Sequence, residues 1–572
     1  MCGICGVYGT SEPQGTANML GAILHRGPDG HKIETSPWGS LGFCRLDIVG
    51  LSGINQPAIS RDRRISVVFN GEIYNFDDLK KALPFKDYIT TEAELILALF
   101  SEHGEECFSK LKGMFAVAVL TSERLILARD AVGIKPLVYF TRGAQLFFAS
   151  EIKALLQARE DMIEIDEDAL AEAAVFGFVF SLEKTMFKGI RQVVPGTYLV
   201  FEGGKIKSMP FCRLRPSFYR DTQSSDMEII AQFSALMDNS ASRYLKHSKH
   251  LQSIYLSGGL DSSLMTFFLV GQSQMSIDTF NLFDDDDSSD RQFAARVAAD
   301  LGTNHREFKT DADDCITWLD HYLFHYESLV TDGIFNVLGS LAFHILSHHI
   351  SRSHKVAYCG EGADELFGGY YWMHTHPLGF GDRVRSRSIT VNHGKTLINE
   401  YIQSKFPDDD SKEDGMRKEI FDLLMGPGLT NCHLWSVDRS SSAFSFEARP
   451  LYLYDDIREW ALSLPIEDKI NGRNTKMILR RYIERMESPL FSDIAARKKI
   501  GMPAALGVSL GRLFAHAEED FRAKEALDRP HRQYKAFFNT DLERLMFDRF
   551  YQIFVLDRGK NCVEEGLEKK VG

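Results

Sequence analysis

The apolar pattern of this chain changes character once, across residues 205–226, and that change limits what the chain can fold into. Before it, short runs rich in β-branched and aromatic residues are closed by turn residues: RRISVVFNGEIYN at 63–75, GMFAVAVLTSERLILARD at 113–130 and GAQLFFASE at 143–151. Such runs predict antiparallel sheet, and EAELILALFSEHG at 92–104 interrupts them with a helical period. After the change helices dominate, and apolar strands lead straight into glycine-rich loops. LQSIYL runs into SGGLDSS at 257–263 and then LMTFFLVG; KVAYCGEGADELFGG at 355–369 repeats the plan. Strand, glycine loop and helix in that order predict a parallel α/β sheet with ligands at the strand carboxyl ends. The segment between, KIKSMPFCRLRPSFYRDTQSSD, is polar and holds two prolines. It predicts the boundary between a layered α+β domain over 1–205 and an α/β domain over 227–572. At 572 residues the chain is too long for one core, which agrees with two domains.

A formal net charge of −13 argues against non-specific nucleic-acid binding and against a basic membrane-docking face. The nine cysteines are scattered and odd in number, which reads as a reducing compartment. No basic stretch followed by an apolar run opens the chain, and no apolar run is long enough to span a bilayer, so the expected location is the cytoplasm. The acidic run DDDDSSD at 284–290 reads as a solvated loop.

MCGICGVYG places a cysteine directly after the first methionine. If that methionine is removed, the Cys2 thiol lies beside its own α-amine, which titrates near pH 8 and serves as a built-in base. Cys5 reads as a small buried residue of the first strand. HRGPDG follows at 25–30, CRLDIVG at 44–50, NGEIYN at 70–75, RDAVGIKPL at 129–137 and ASEIKALL at 149–156. Together with MCGI these closely resemble the glutaminase domain of class II glutamine amidotransferases of the asparagine synthetase type, over almost all of residues 1–205. The resemblance implies a four-layer αββα N-terminal-nucleophile sandwich with Cys2 as nucleophile. It implies an oxyanion hole from the Asn70 side-chain amide and the Gly71 N–H, since amide hydrolysis passes through a tetrahedral oxyanion that needs preorganised donors. Arg45 would hold the glutamine α-carboxylate. The backbone carbonyl near Glu72 and the carboxylate of Glu92 would receive the α-ammonium. Glu92 departs from the family, which usually has aspartate there. Outside this context, Asn70-Gly71 reads as a hairpin turn, Arg45 and Glu92 as a surface ion pair, and His25 as a core residue.

SGGLDSS combines glycines that let N–H groups approach a phosphate, hydroxyl donors, and a helix N-terminus. No G-x-x-x-x-G-K-[ST] is present. The pattern matches the pyrophosphate loop of the adenylating ATP pyrophosphatase family. With VAADLGTNHREF at 297–308, GEGADELFGGY at 360–370, VDRSSSAFSFEARP at 437–450, KMILRR at 476–481 and ARKKIGMP at 496–503, the second half resembles the synthetase domain of asparagine synthetases over roughly 230–505. That resemblance implies that Ser257, Gly258, Gly259, Asp261 and Ser262 cradle pyrophosphate, with Asp261 and Asp364 on Mg²⁺. It places Leu256, Leu282 and Gly360 at the adenosine, Glu361 as the acid–base carboxylate near the acyl carbon, and Lys476 and Lys499 on the leaving pyrophosphate. By themselves the two lysines read as solvated charges.

The implied reaction has two sites. Cys2 releases ammonia from glutamine through a thioester; a carboxylate attacks the α-phosphate of MgATP to give an acyl-adenylate; channelled ammonia displaces AMP. L-aspartate is the expected acceptor. Two departures stand against it: LVTDGIFNVL at 329–338 lacks the arginine of the family's aspartate-binding segment, and EARPLYLYD replaces the usual EARVPFLD. The alternative is amidation of a sugar uronate or an antibiotic precursor by the same chemistry. Retention of Cys2 stands against the ring-closing β-lactam synthetases. Oligomeric state is not legible in the residues; the resemblance implies a homodimer. The final LERLMFDRFYQIFVLDRGKNCVEEGLEKKVG suggests an amphipathic helix and a polar tail.

Overall fold

The computed structural model describes residues 1–48, 53–84, 86–158, 163–214, 225–246, 250–331, 339–370, 380–384, 386–387, 419–471, 474–497, 506–523 and 530–560. In the first half, two antiparallel six-stranded sheets lie face to face. One runs β10 (Arg191–Gln192), β8 (Val138–Arg142), β9 (Gln145–Ala149), β1 (Gly3–Tyr8), β3 (Gly39–Cys44), β2 (His31–Ser36). The other runs β12 (Lys205–Pro210), β11 (Thr197–Glu202), β7 (Arg124–Arg129), β6 (Gly113–Thr121), β5 (Ile65–Ile73), β4 (Ala58–Ile59).

Strand β6 explains the layering. Ala116, Ala118 and Leu120 enter the core between the sheets with Ile4, Phe43 and Phe148. Phe115, Val117 and Val119, on the alternate face, pack under Leu95, Ile96 and Leu99 of the helix Glu92–His103. A strand buried on both faces reads as a continuous apolar run, as β6 does. On the first sheet, Cys5 and Val7 turn outward under Met19 and Leu20 of the helix Pro13–Gly21 and Leu155 of the helix Ile152–Ala158. The result is the αββα sandwich the sequence predicts. The helix at 92–103 starts with a capping box: Thr91 and Glu94 bond each other's backbone N–H groups, and the helix stops at Gly104. The segment that sequence alone reads as a break begins instead with edge strand β12, paired along its length to β11. Its side chains are mostly exposed, so it carries no apolar alternation to betray it.

In the second half, five strands form a wholly parallel sheet in the order β15 (Asn304–Lys309), β14 (Asp278–Phe283), β13 (Gln252–Tyr255), β16 (Val356–Cys359), β17 (Glu447–Pro450). The chain winds outward from β13 to β15, then returns to the other side of β13 for β16 and β17. The strand order therefore reverses between β13 and β16. That crevice, at the carboxyl ends, is where such sheets bind ligands, and it is where SGGLDSS and GEGADELFGG emerge. The acidic run is more than a solvated loop: Asp284 accepts from the N–H groups of Val508 and Ser509, and Asp290 pairs with Arg497. The expected C-terminal amphipathic helix spans Asp541–Tyr551 and buries Leu542, Leu545, Met546 and Phe550; the tail beyond 560 lies outside the described residues. Among the described residues no helix is long and apolar enough to cross a membrane.

Candidate functional site

Cys2 stands immediately before β1, its Sγ 4.0 Å from the Leu46 carbonyl oxygen. Burial pushes its thiol up, and pushes the Met1 amine down to about 5. Asn70 and Gly71 lie inside β5, opposite Ala116 and Phe115, and so do not form a hairpin turn. The Asn70 side chain is fully buried, yet its amide nitrogen and oxygen find no partner among the described residues. A buried amide left unsatisfied costs about 1–3 kcal/mol, which marks it as a group held for something else. Gly71 has φ +147°, and a Cβ there would collide with the Met114 carbonyl. Arg45 donates to Asn55 Oδ1 and Asp47 Oδ1, each at 2.8 Å, rather than to Glu92. Glu92 opens its helix and accepts the Ile73 N–H at 3.1 Å; burial pushes its carboxyl up to about 7. The Glu72 carboxylate is turned away to the second half, 2.7 Å from Arg449 Nη2.

At the switch point, SGGLDSS is closed by its own serines. Ser257 and Ser262 hydroxyls lie 2.9 Å apart, and Ser257 Oγ accepts the Gly259 N–H at 3.3 Å. Gly258 has φ +75°, and a Cβ there would strike the Asp290 carbonyl and the Ala294 N–H, so this turn is pressed against the helix Ser289–Leu301. Arg497 donates to the Gly258 carbonyl at 3.0 Å. Lys476 is buried in a left-handed conformation with its Nζ between the carboxylates of Asp261 and Asp364, 2.6 Å from the latter. Burial opposes its charge, but the two carboxylates hold it above the ordinary lysine range. Asp261 and Asp364 are thus brought to one point as a pair of hard oxygen donors, a donor set that fits Mg²⁺. Gly360 follows β16, and a Cβ there would come into van der Waals contact with Asp261 and Ser262. Leu256 and Leu282, expected together at the adenosine, bury in separate apolar clusters. Glu361 follows Gly360, its Oε2 3.6 Å from His433 Nδ1. Lys499 lies outside the described residues, as do residues 332–338 of the departing acceptor segment.

Buried charges join the halves. Arg26 donates from Nε to the Cys2 carbonyl at 3.1 Å, from Nη1 to Glu151 at 2.6 Å, and from both Nη atoms to Asp438, at 2.9 and 3.1 Å. Lys135 reaches Glu447 at 3.0 Å, and Arg449 bridges Glu447 and Glu72. Burial works to raise Glu447, but Lys135 and Arg449 bring it down to about 2. His25, Glu151 and His325 converge within 4.8 Å of one another. Arg26 and Lys153 both pair with Glu151, the one carboxylate of that cluster. Arg26, Glu151, Glu447 and Arg449 lie within motifs that carry the family resemblance, but nothing in the sequence marks them as partners. His433 has no sequence signal at all.

Residues 1–212 match the family model described as glutamine amidotransferase domain, and residues 232–553 the model described as asparagine synthase. The chain is 28% identical over 554 residues to asparagine synthetase [glutamine-hydrolyzing] 3 of Bacillus subtilis (strain 168), covering 88% of this chain and 87% of the relative. It is 28% identical over 588 residues to the asparagine synthetase [glutamine-hydrolyzing] of Brassica oleracea, covering 96% and 86%. Among solved structures, the glutamine phosphoribosylpyrophosphate amidotransferase of B. subtilis, complexed with ADP and GMP, matches at 18% identity with a TM-score of 0.29, over 54% of this chain and 65% of that one.

Proposed function

This chain belongs to the asparagine synthase family, and from that premise we propose that it converts L-aspartate, glutamine and ATP to L-asparagine, glutamate, AMP and pyrophosphate in the cytoplasm. The observation that carries the glutamine-dependent part is Asn70, whose buried amide is spent on no partner among the described residues. Cys2, freed of Met1, adds to the glutamine carboxamide with its own amine as base. Asn70 Nδ2 and the Gly71 N–H receive the oxyanion. Arg45 takes the α-carboxylate, while Glu92 and the backbone at Glu72 take the α-ammonium.

In the second half, Ser257, Gly258, Gly259 and Ser262 hold pyrophosphate at the N-terminus of the helix Leu260–Gln272. Asp261 and Asp364 would hold Mg²⁺, which neutralises charge on the phosphates when bound. Lys476, released from that pair, turns to the departing pyrophosphate, whose charge Lys499 would also neutralise. Carboxylate oxygen leaves poorly and AMP leaves well; adenylation solves that before ammonia arrives. Glu361 takes the proton that the attacking nitrogen must shed.

A second reading, amidation of a different carboxylate, is favoured by one observation: residues 329–338 contain no arginine to meet a second acceptor carboxylate. Pyrophosphate release with Mg²⁺ and glutamine across a panel of acids decides between them. Release with L-aspartate together with asparagine by mass spectrometry supports the first reading. Silence with aspartate and release with another acid replaces it by the second.

A further inference from the structure

Four polar side chains gather beside the acyl-transfer end of the parallel sheet. Glu361 and Glu365 come from the loop and short helix after β16, Tyr370 from the end of that segment, and His433 from the stretch leading into the helix Trp435–Ser442. His433 Nδ1 lies 3.6 Å from Glu361 Oε2. Its other nitrogen, Nε2, lies 2.8 Å from the Tyr370 hydroxyl and 3.4 Å from Glu365 Oε1. Tyr370 donates to Glu365 Oε1 at 2.6 Å. Glu365 is 1% exposed and its Oε2 has no hydrogen-bond partner among the described residues.

The proton count assigns a proton to His433 Nε2. Tyr370 has one hydroxyl proton, and Glu365 takes it. The Tyr370 oxygen then accepts, so the His433 Nε2–H donates to it, and the Nδ1 lone pair is left facing Glu361. We propose that His433 is a proton relay for Glu361 in amide formation. The nitrogen of ammonia bonds to the acyl carbon and AMP leaves with the bonding pair of its phosphate ester oxygen. One N–H proton passes to Glu361 and on to His433 Nδ1, giving an imidazolium held between Glu361 and Glu365. Glu361 is then a carboxylate again, and the proton leaves to solvent when the site opens. His433 acts through Glu361 and is a positioning residue by that measure. Proton transfer by a positioned side chain contributes about 10²–10⁴-fold, and the 3.6 Å separation is of the length that closes in a substrate complex.

This inference rests on the acyl-adenylate chemistry proposed above, and the test separates the two. Full-length protein is supplied with ammonium chloride in place of glutamine. ATP–pyrophosphate exchange reports adenylation, and amide production reports the later step. His433→Ala is expected to lower kcat for amide formation about 100-fold with the acceptor KM within threefold of wild type, and exchange should fall far less. Added imidazole should restore His433→Ala at least tenfold. His433→Gln, which keeps a hydrogen-bonding side chain, should stay slow without rescue. Glutamine hydrolysis, the reaction of the other half of the chain, reports whether each variant is folded. A parallel loss of exchange and amide formation, a rise confined to KM, or no rescue by imidazole overturns the relay. Wild-type protein that catalyses no exchange with any acid sinks the underlying reading, and the relay with it.

Discussion

Arg26 and Asp438 form a bidentate, buried ion pair across 412 residues of sequence, Nη1 to Oδ1 at 2.9 Å and Nη2 to Oδ2 at 3.1 Å. The same guanidinium touches the Cys2 carbonyl oxygen, so the charge beside the proposed nucleophile is held in part by the opposite half of the chain. Burial alone would favour losing that charge, but Asp438 and Glu151 keep the guanidinium above its ordinary range. Removing one member of such a pair leaves an uncompensated buried charge, at about 3–5 kcal/mol. Asp438→Asn should lower thermal stability by that order. It should also slow glutamine hydrolysis about tenfold, although residue 438 lies outside the half that carries Cys2. Unchanged glutaminase kinetics would show that the Arg26–Cys2 contact has no catalytic consequence.

Gly71 and Gly143 offer a matched comparison. Both have positive φ, +147° and +61°, but a Cβ at Gly143 meets nothing within 4 Å, whereas one at Gly71 runs into the Met114 carbonyl. Gly143→Ala should cost about 1 kcal/mol for its backbone alone. Gly71→Ala should cost more than the 1–3 kcal/mol of a strained conformation and should abolish glutamine hydrolysis, because β5 must shift and Asn70 shifts with it. Unfolding curves and glutaminase assays on the two variants check this.

How far this was legible from residues depends on how local the interaction is. SGGLDSS and NGEIYN announce themselves because their chemistry is packed into a few neighbours. The helix at 92–103 is legible because Thr91 and Glu94 cap it within one turn. Arg26 sits in an equally recognisable motif, yet its partners stand at 151 and 438, and no short pattern carries a contact of that span. KMILRR predicts that Lys476 meets pyrophosphate directly; that its Nζ lies between Asp261 and Asp364 follows from three segments meeting at the switch point. Strand β12 escaped because an exposed edge strand buries no alternating face.

The Glu92 carboxyl is pushed by burial up to about 7 from an ordinary 4.5, so its proposed part in glutamine binding predicts a pH dependence. The folded protein holds this proton more tightly than the unfolded chain does. Its contribution to stability is therefore fully present below about pH 4.5 and is lost as pH rises through about 7. The proposed binding of the glutamine α-ammonium would run the other way, since it needs the carboxylate. The KM for glutamine should fall up to tenfold per pH unit as pH rises toward 7 and then level off. Glu92→Gln should raise KM and flatten that dependence; a wild-type KM constant between pH 6 and 8 would remove Glu92 from ammonium binding.

Lys476 supplies the last prediction. Its ammonium sits where two carboxylates meet, so without it Asp261 and Asp364 face each other as like charges. Lys476→Met keeps the length of the stem to Cε and removes the ammonium. It should destabilise the protein by about 3–5 kcal/mol, the order for a broken buried pair. A divalent cation should then replace the missing charge, so Mg²⁺ in the millimolar range should raise the melting temperature of Lys476→Met by several degrees and leave wild type nearly unmoved. Pyrophosphate exchange should still be lost by at least 100-fold, because a cation fixed on the two aspartates cannot follow the departing pyrophosphate as a lysine side chain can. If Mg²⁺ stabilises both proteins equally, the aspartate pair binds the cation with Lys476 in place, and the exchange of partners at Lys476 is no part of catalysis.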